Sequence, residues 1–288
     1  MAGSYRVFIP AVWSKFIQFY FEKKLFAQSF FKDYSADVIL GGDDVNIPHI
    51  ATVDAGTLTH TSGAITDNIV SETRSILSIN TWAYKSRKFS DFYMAQIATK
   101  YSIQAAYAQT LAESIRRKID TDLLAEGTNI YPRVGNSATN LGTTTIEGGI
   151  RILESYSIPQ TECAFFFHGN AFWGELMQNQ KYYDASQWGR PVAAGGQAQP
   201  VGNLYGIPVY VSAQVPVGTD NNEGGHRNLL VHNSRIVFAL GNLTGTPGMP
   251  RTTVEGVADA RATRVMADIM YGVKTTDNEG GVRIISNT

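Results

Sequence analysis

A single cysteine, Cys163, is all the chain has, so no intrachain disulfide can form and the stapled secreted miniproteins are excluded. A reducing cytoplasm fits that usage. No apolar run approaches the ~20 residues needed to span a bilayer. The apolar stretch near the start is broken by Lys15, Glu22, Lys23 and Lys24, unlike an export signal. Neither sign of charge is in excess: 24 lysines and arginines meet 25 acids, a net charge of -1, which argues against a protein that grips nucleic acid through a basic face. Charged residues make up only 17% of the chain beside 43% hydrophobic ones, so much of the surface must be uncharged polar or covered by neighbours.

Catalytic signatures are missing too. There is no phosphate-cradling GxxxxGK followed by Ser or Thr, no GxGxxG, no GxSxG, no HExxH and no calcium loop. His49, His60, His168, His226 and His232 are scattered, and Cys163 lacks the close partners of a zinc site. His168, in "FFFHGN", ends a candidate buried strand and reads as a histidine satisfied by hydrogen bonds. Asp43 and Asp44 are adjacent, and adjacent strand residues point to opposite faces, so "GGDD" reads as a turn and not as an acid–base pair. Asn242 opens a glycosylation triplet that carries no meaning without an export signal. No catalytic, cofactor or metal residue is assigned, and no repeat of 20 to 50 residues is visible.

What the chain does have is a sequence of distinct textures. From Trp13, the residues Phe16, Ile17, Phe19, Tyr20, Phe21, Leu25, Phe26 and Phe30 spread over an arc much wider than the ~100° stripe of a surface helix. Such a helix is either buried in its own domain or an arm packed partly on its own body and partly on another subunit. Between Gly41 and Ser90, "GGDDVNIPHI" and "SILSINTWAYKSRKFS" alternate around a Thr-rich tip and read as two long strands. Lys85, Arg87 and Lys88 crowd the end of the second, either as a charged edge that resists mispairing or as an intersubunit salt-bridge set.

Helical periodicity then runs from Asp91 to Glu126, with Gly127 as a stop; at 1.5 Å per residue its 36 residues make a rod of about 54 Å, with a break expected near Ser102. "TTIE" at Thr144 to Glu147 is a capping-box pattern for a second helix. "CAFFFHG" is a short buried strand, Asn170 caps a helix "AFWGELMQN", and residues 189 to 203 form a loop. "LYGIPVYVSAQVP", "RNLLVHN" and "RIVFAL" read as strands, and "ATRVMADIMYGVKTT", "DNEGG" and "VRIIS" as a closing hairpin.

In this order the parts resemble the major capsid protein of tailed double-stranded-DNA bacteriophages, the Hong Kong 97-like shell fold. The carriers are "IPAVWSKFIQFYFEKKLFA" leading into "KDYSADVILGGDDVNIPHI", then "LYGIPVYVSAQVP" and "IMYGVKTTDNEGGVRII". The resemblance implies an α+β fold with an N-arm (1–38), an E-loop hairpin (41–90), a P domain with a long spine helix (91–143, completed by return strands at 251–288) and an A domain (144–250). It implies a structural subunit, not an enzyme, that assembles as pentamers and hexamers into an icosahedral shell. That shell encloses DNA without sequence-specific binding and without a membrane.

Trp13, Phe16, Phe19, Phe26, Lys85, Arg87 and Lys88 are then the expected intersubunit contacts. The arm starts almost at Met1, so the expected partners are a separate scaffolding protein, a portal and a decoration protein, with assembly in the host cytoplasm and the virion as destination. Some members crosslink a loop lysine to a neighbour; the stretch from Thr52 to Thr73 has no lysine, so no crosslink is expected. The rival readings are an encapsulin-like compartment shell and, more distantly, a monomeric α/β enzyme or binding module.

Overall fold

A computed structural model describes residues 26–38, 44–50, 72–91, 103–178, 201–218, 224–241 and 250–287. Its elements in chain order are helix α1 (Ala27–Phe30), β1 (Lys32–Asp33), β2 (Asp44–Ile50), β3 (Glu72–Ser78), β4 (Thr81–Ser90), helix α2 (Ile103–Glu126), β5 (Arg133–Gly135) and helix α3 (Thr143–Ser155). Then follow β6 (Cys163–Phe167), β7 (Gly202–Leu204), β8 (Ile207–Val211), β9 (Val217–Gly218), β10 (Gly225–His232), β11 (Ile236–Leu240), β12 (Arg251–Val257), β13 (Ala262–Thr275) and β14 (Gly281–Ser286).

Two sheets share the helix α2. The first has seven strands, ordered β5-β14-β10-β6-β8-β7 with β9 paired to β10. All five residues of β6 are buried, and alternation divides them: Ala164 and Phe166 face the cluster containing Ile115, Ile119 and Leu123 of α2, while Phe165 and Phe167 face Ile146 and Leu153 of α3. Cover on both faces explains why "CAFFF" shows no polar alternation. The second sheet has five strands, ordered β1-β11-β13-β12 with β4 on the other side of β13. Ile236 and Phe238 of β11 join the α2 cluster, and Val237 and Ala239 face a third cluster with Val38, Ile47 and Leu77.

Several expectations need correction. The run 75–90 is not one strand. It breaks at Ile79 and Asn80: β3 pairs with β2, and β4 joins the five-stranded sheet against β13. The two-stranded ribbon is therefore anchored on its own body through Ile47 and Leu77. At its base, a Cβ on Gly272 would come within 2.2 Å of the Ser78 carbonyl, a close crossing of backbones that only glycine permits. The closing hairpin does not form either. β13 lies in the five-stranded sheet and β14 in the seven-stranded one, so residues 276–280 carry the chain between sheets. "LYGIPVYV" is a hairpin and not a single strand, because Tyr205 (φ 54°) and Gly206 (φ 84°) make the two-residue turn with positive φ that suits a tight β-connection.

The helix expected from Asp91 is described from Ile103 to Glu126, about 36 Å by its 24 residues; residues 92–102, including the expected break, lie outside the described residues. The second helix starts at Thr143, and the side chain that closes its first turn is that of Thr145: its Oγ1 accepts the Gly142 N–H at 3.0 Å. Glu147 instead accepts a hydrogen bond from the Tyr205 hydroxyl at 2.9 Å. Asn170 offers no side-chain cap; its N–H donates to His168 Nδ1 at 3.3 Å, ahead of a wide helical turn over Ala171–Glu175.

Candidate functional site

Of the seven residues expected at contacts with other subunits, Trp13, Phe16 and Phe19 lie outside the described residues. Phe26 is a correction. It is 1% exposed inside its own chain, its ring 5.7 Å from Phe166 and 5.1 Å from Tyr210. Phe30 and Phe31 stack into the same group at 5.3 and 5.4 Å from Phe166. The wide apolar arc thus ends as core: the last turn of the aromatic segment is enclosed by one chain.

Lys85, Arg87 and Lys88 are exposed on β4, an edge strand whose one partner among the described residues is β13. They do not form one patch. Ala83 and Phe89 pack toward α2, so by alternation Lys85 and Arg87 share that side and Lys88 points to the other. Arg87 sits over the Tyr107 ring at 4.8 Å, a cation–π contact that fixes the strand beside α2. On the opposite face, Trp82 and Tyr84 are 58% and 70% exposed. There the Trp82 Nε1 donates to Asp268 Oδ2 at 3.1 Å, and Arg251 clamps the same carboxylate through Nε at 3.1 Å and Nη2 at 2.6 Å. Asp268 is fully buried, so this bidentate pair ties β12, β13 and β4 together across the sheet.

A groove of about 830 Å³ runs between β4, α2 and residues 213–217. Ala83, Ile115, Val215 and Val217 give it apolar walls, and Lys85, Arg117 and Lys118 a basic rim. Lys118 bonds Asp122 at 2.7 Å, and Asp122 also accepts the Tyr271 hydroxyl, whose own ionisation is pushed up by burial and by that carboxylate. Lys85 and Arg117 have no ion pair among the described residues. The side-chain amide of Gln214 is buried at the groove without a hydrogen-bond partner.

His168 Nδ1 accepts the Asn170 N–H, and its backbone N–H donates to Asn228 Oδ1 at 2.8 Å, as expected of a satisfied strand end. What sequence reasoning missed is that His226 stacks on it, ring centroids 3.9 Å apart and planes within 11°. Burial lowers the affinity of both rings for a proton, and His168 further disfavours charge on His226. Nearly parallel rings keep their in-plane lone pairs in two stacked planes, which do not converge on one point. Among the described residues no group of three metal-ligating side chains gathers, and no helix is long and apolar enough to cross a membrane. Positions 168 and 226 meet just past the Phe166–Leu229 pair that lays β10 beside β6, and no local signal announces the meeting.

No family model and no curated protein matches the chain. Solved structures do. A Mycobacterium phage Che8 structure matches with a TM-score of 0.72 at 17% identity, covering 96% of this chain and 97% of that one. The capsid asymmetric unit of cyanophage Pam1 gives 0.73 at 13% identity, covering 100% and 99%. The capsid of a native GTA particle gives 0.72 at 11% identity, covering 100% and 98%. At these identities the likeness is one of fold, and it extends over nearly the whole length: the chain has the α+β fold found in phage capsid structures, as the resemblance implied.

Proposed function

We propose that the chain is the structural major capsid subunit of a tailed bacteriophage, many copies of which close as pentamers and hexamers into an icosahedral shell around double-stranded DNA. The observation that carries this reading is the whole-length likeness of fold to capsid structures, in both directions of coverage. The exposed Trp82 and Tyr84 on an edge strand and the groove beside α2 support it, because a solitary chain gains nothing by leaving such surface in water. Repeated weak contacts would make the stability of the shell inseparable from its assembly. A near-neutral subunit suits containment of DNA without tight binding.

On this reading residues 1–38 form the arm, 41–90 the E-loop, 91–143 with 251–288 the P domain and 144–250 the A domain. Trp13, Phe16, Phe19, Lys85, Arg87 and Lys88 meet neighbouring subunits. A separate scaffolding protein, a portal and a decoration protein are the other partners, with assembly in the host cytoplasm. Electron microscopy of the expressed chain, alone and with a scaffolding partner, tests the proposal. Closed shells with fivefold vertices are expected. A monodisperse monomer at high concentration would overturn it, and shells filled with a protein cargo instead of DNA would move the reading to an encapsulin-like compartment. Denaturing electrophoresis of particles should give a single monomer band, whereas a ladder would refute the absence of crosslinks.

A further inference from the structure

The root of the aromatic N-terminal segment is fastened to α2 by a group whose chemistry the shell reading does not use. Asp120 is fully buried on that helix. Its Oδ1 accepts the backbone N–H of Ala27 at 2.8 Å and of Gln28 at 3.3 Å, which caps the first turn of α1. One further polar tie is at the surface, the Gln28 Nε2 donating to the Arg116 carbonyl at 2.9 Å. Phe26, Phe30 and Phe31 add ring contacts with Phe166, and Phe26 and Phe30 with Tyr210. The other carboxylate oxygen, Oδ2, is buried and has no partner among the described residues. A carboxylate held by one oxygen while the other is stripped of water fastens the segment at a cost that depends on whether it carries a charge.

We propose that Asp120 is a pH-sensitive latch: it holds the root of the N-terminal segment, residues 26–31, against α2 more tightly in acid than at neutral pH. Burial outweighs the donors from Phe26, Ala27 and Gln28 and pushes the carboxyl from 3.8 up to about 6. Among the described residues, the elements packed around it supply no competing charge. α1 has no titratable side chain; on α2, Arg116 turns its carbonyl to the segment and Asp122 is engaged with Lys118 and Tyr271. From β6 comes Phe166, and from β8 Tyr210, a phenol kept neutral by burial.

Because the folded value lies above the unfolded one, the latch's contribution is complete below the unfolded value and is lost as pH rises through about 6. A buried acid with an unpaired oxygen therefore loosens the segment under neutral conditions, where a mobile root can still find a partner.

Hydrogen–deuterium exchange of the full-length chain, read on the peptide covering 26–31 and corrected for intrinsic exchange, tests this. Opening should become roughly tenfold rarer between pH 7.5 and pH 5 in the wild type. Asp120→Asn keeps the accepting oxygen and removes the titration, so its profile should be flat. Equal pH dependence in D120N, or a flat wild-type profile, would overturn the latch. If D120N does not fold, the wild-type profile decides: a midpoint near 6 supports the latch, and one below 4.5 overturns it.

Discussion

The two sheets differ in who covers them. In the seven-stranded sheet β6 and β14 are buried along their whole length, with α2 on one face and α3 on the other, so the chain finishes this sheet by itself. In the five-stranded sheet the flanking strands β4 and β12 leave Trp82, Tyr84 and Val254 at 58%, 70% and 57% exposure, although β13 between them is largely buried. The central strands of the first sheet are thus enclosed by the chain itself, while the described borders of the second keep large apolar side chains exposed. On the proposed reading these exposed side chains are surface for contact with neighbouring copies.

The sharpest way to break that contrast is Phe166→Ala. Phe166 sits among Phe26, Phe31 and Tyr210, and its loss should destabilise the disassembled chain by about 3–5 kcal/mol in urea unfolding. A cost below about 1 kcal/mol would mean the sheet is not closed by its own chain. Next comes acid sensitivity at the end of the same sheet. His168 and His226 stay neutral when folded because burial lowers their proton affinity, so the stability they contribute is present above the unfolded value of 6.5 and is lost as pH falls. His226→Phe keeps the stack and removes the titration; its unfolding midpoint should fall less than that of the wild type as the buffer is taken from pH 7.5 to 5. An unchanged acid response would remove the pair as its source.

On the exposed sheet the pattern should invert. Trp82→Ala combined with Tyr84→Ala is expected to cut particle yield in electron micrographs by far more than it lowers the unfolding midpoint of the free chain. Parallel losses would make these aromatics part of the fold. The smallest effect on folding is expected from Lys85, Arg87 and Lys88 changed together to Glu, about 1 kcal/mol for the free chain, chiefly from the lost contact of Arg87 with Tyr107. Particles, in contrast, should come apart more readily, with a salt dependence that exposed charges impose. Assembly unaffected at every salt concentration would take this strand out of the interface.

Much of this contrast was legible in the residues. "CAFFF" is apolar at every position because both faces are covered, and the Gly127 stop, "RNLLVHN" and "RIVFAL" all stand where periodicity put them. The misses share one cause: local pattern says that a segment is extended but not which neighbour it pairs with. "SILSINTWAYKSRKFS" alternates throughout, yet the bend at Ile79 and Asn80 sends its halves to different partners. The stretch after Ala262 has the look of a hairpin, yet Gly281 pairs with Val231 in the other sheet. Phe26 belongs to the same lesson, since an aromatic at the end of an exposed-looking arc is indistinguishable in sequence from one that turns inward. The buried charges, Asp120 and Asp268, could be assigned only once their donors at positions 27, 28, 82 and 251 were placed in space.

The passage of the chain between sheets has a mechanical meaning. β4 leads through α2 into β5, β10 leads through residues 233–235 into β11, and β13 leads through 276–280 into β14, so the two layers are stitched by covalent bonds at three points. A tug on either layer is handed to the other through peptide links that do not yield, not through side-chain packing that can slide. A wall built of such units would stretch at the seams between copies before any single copy came apart.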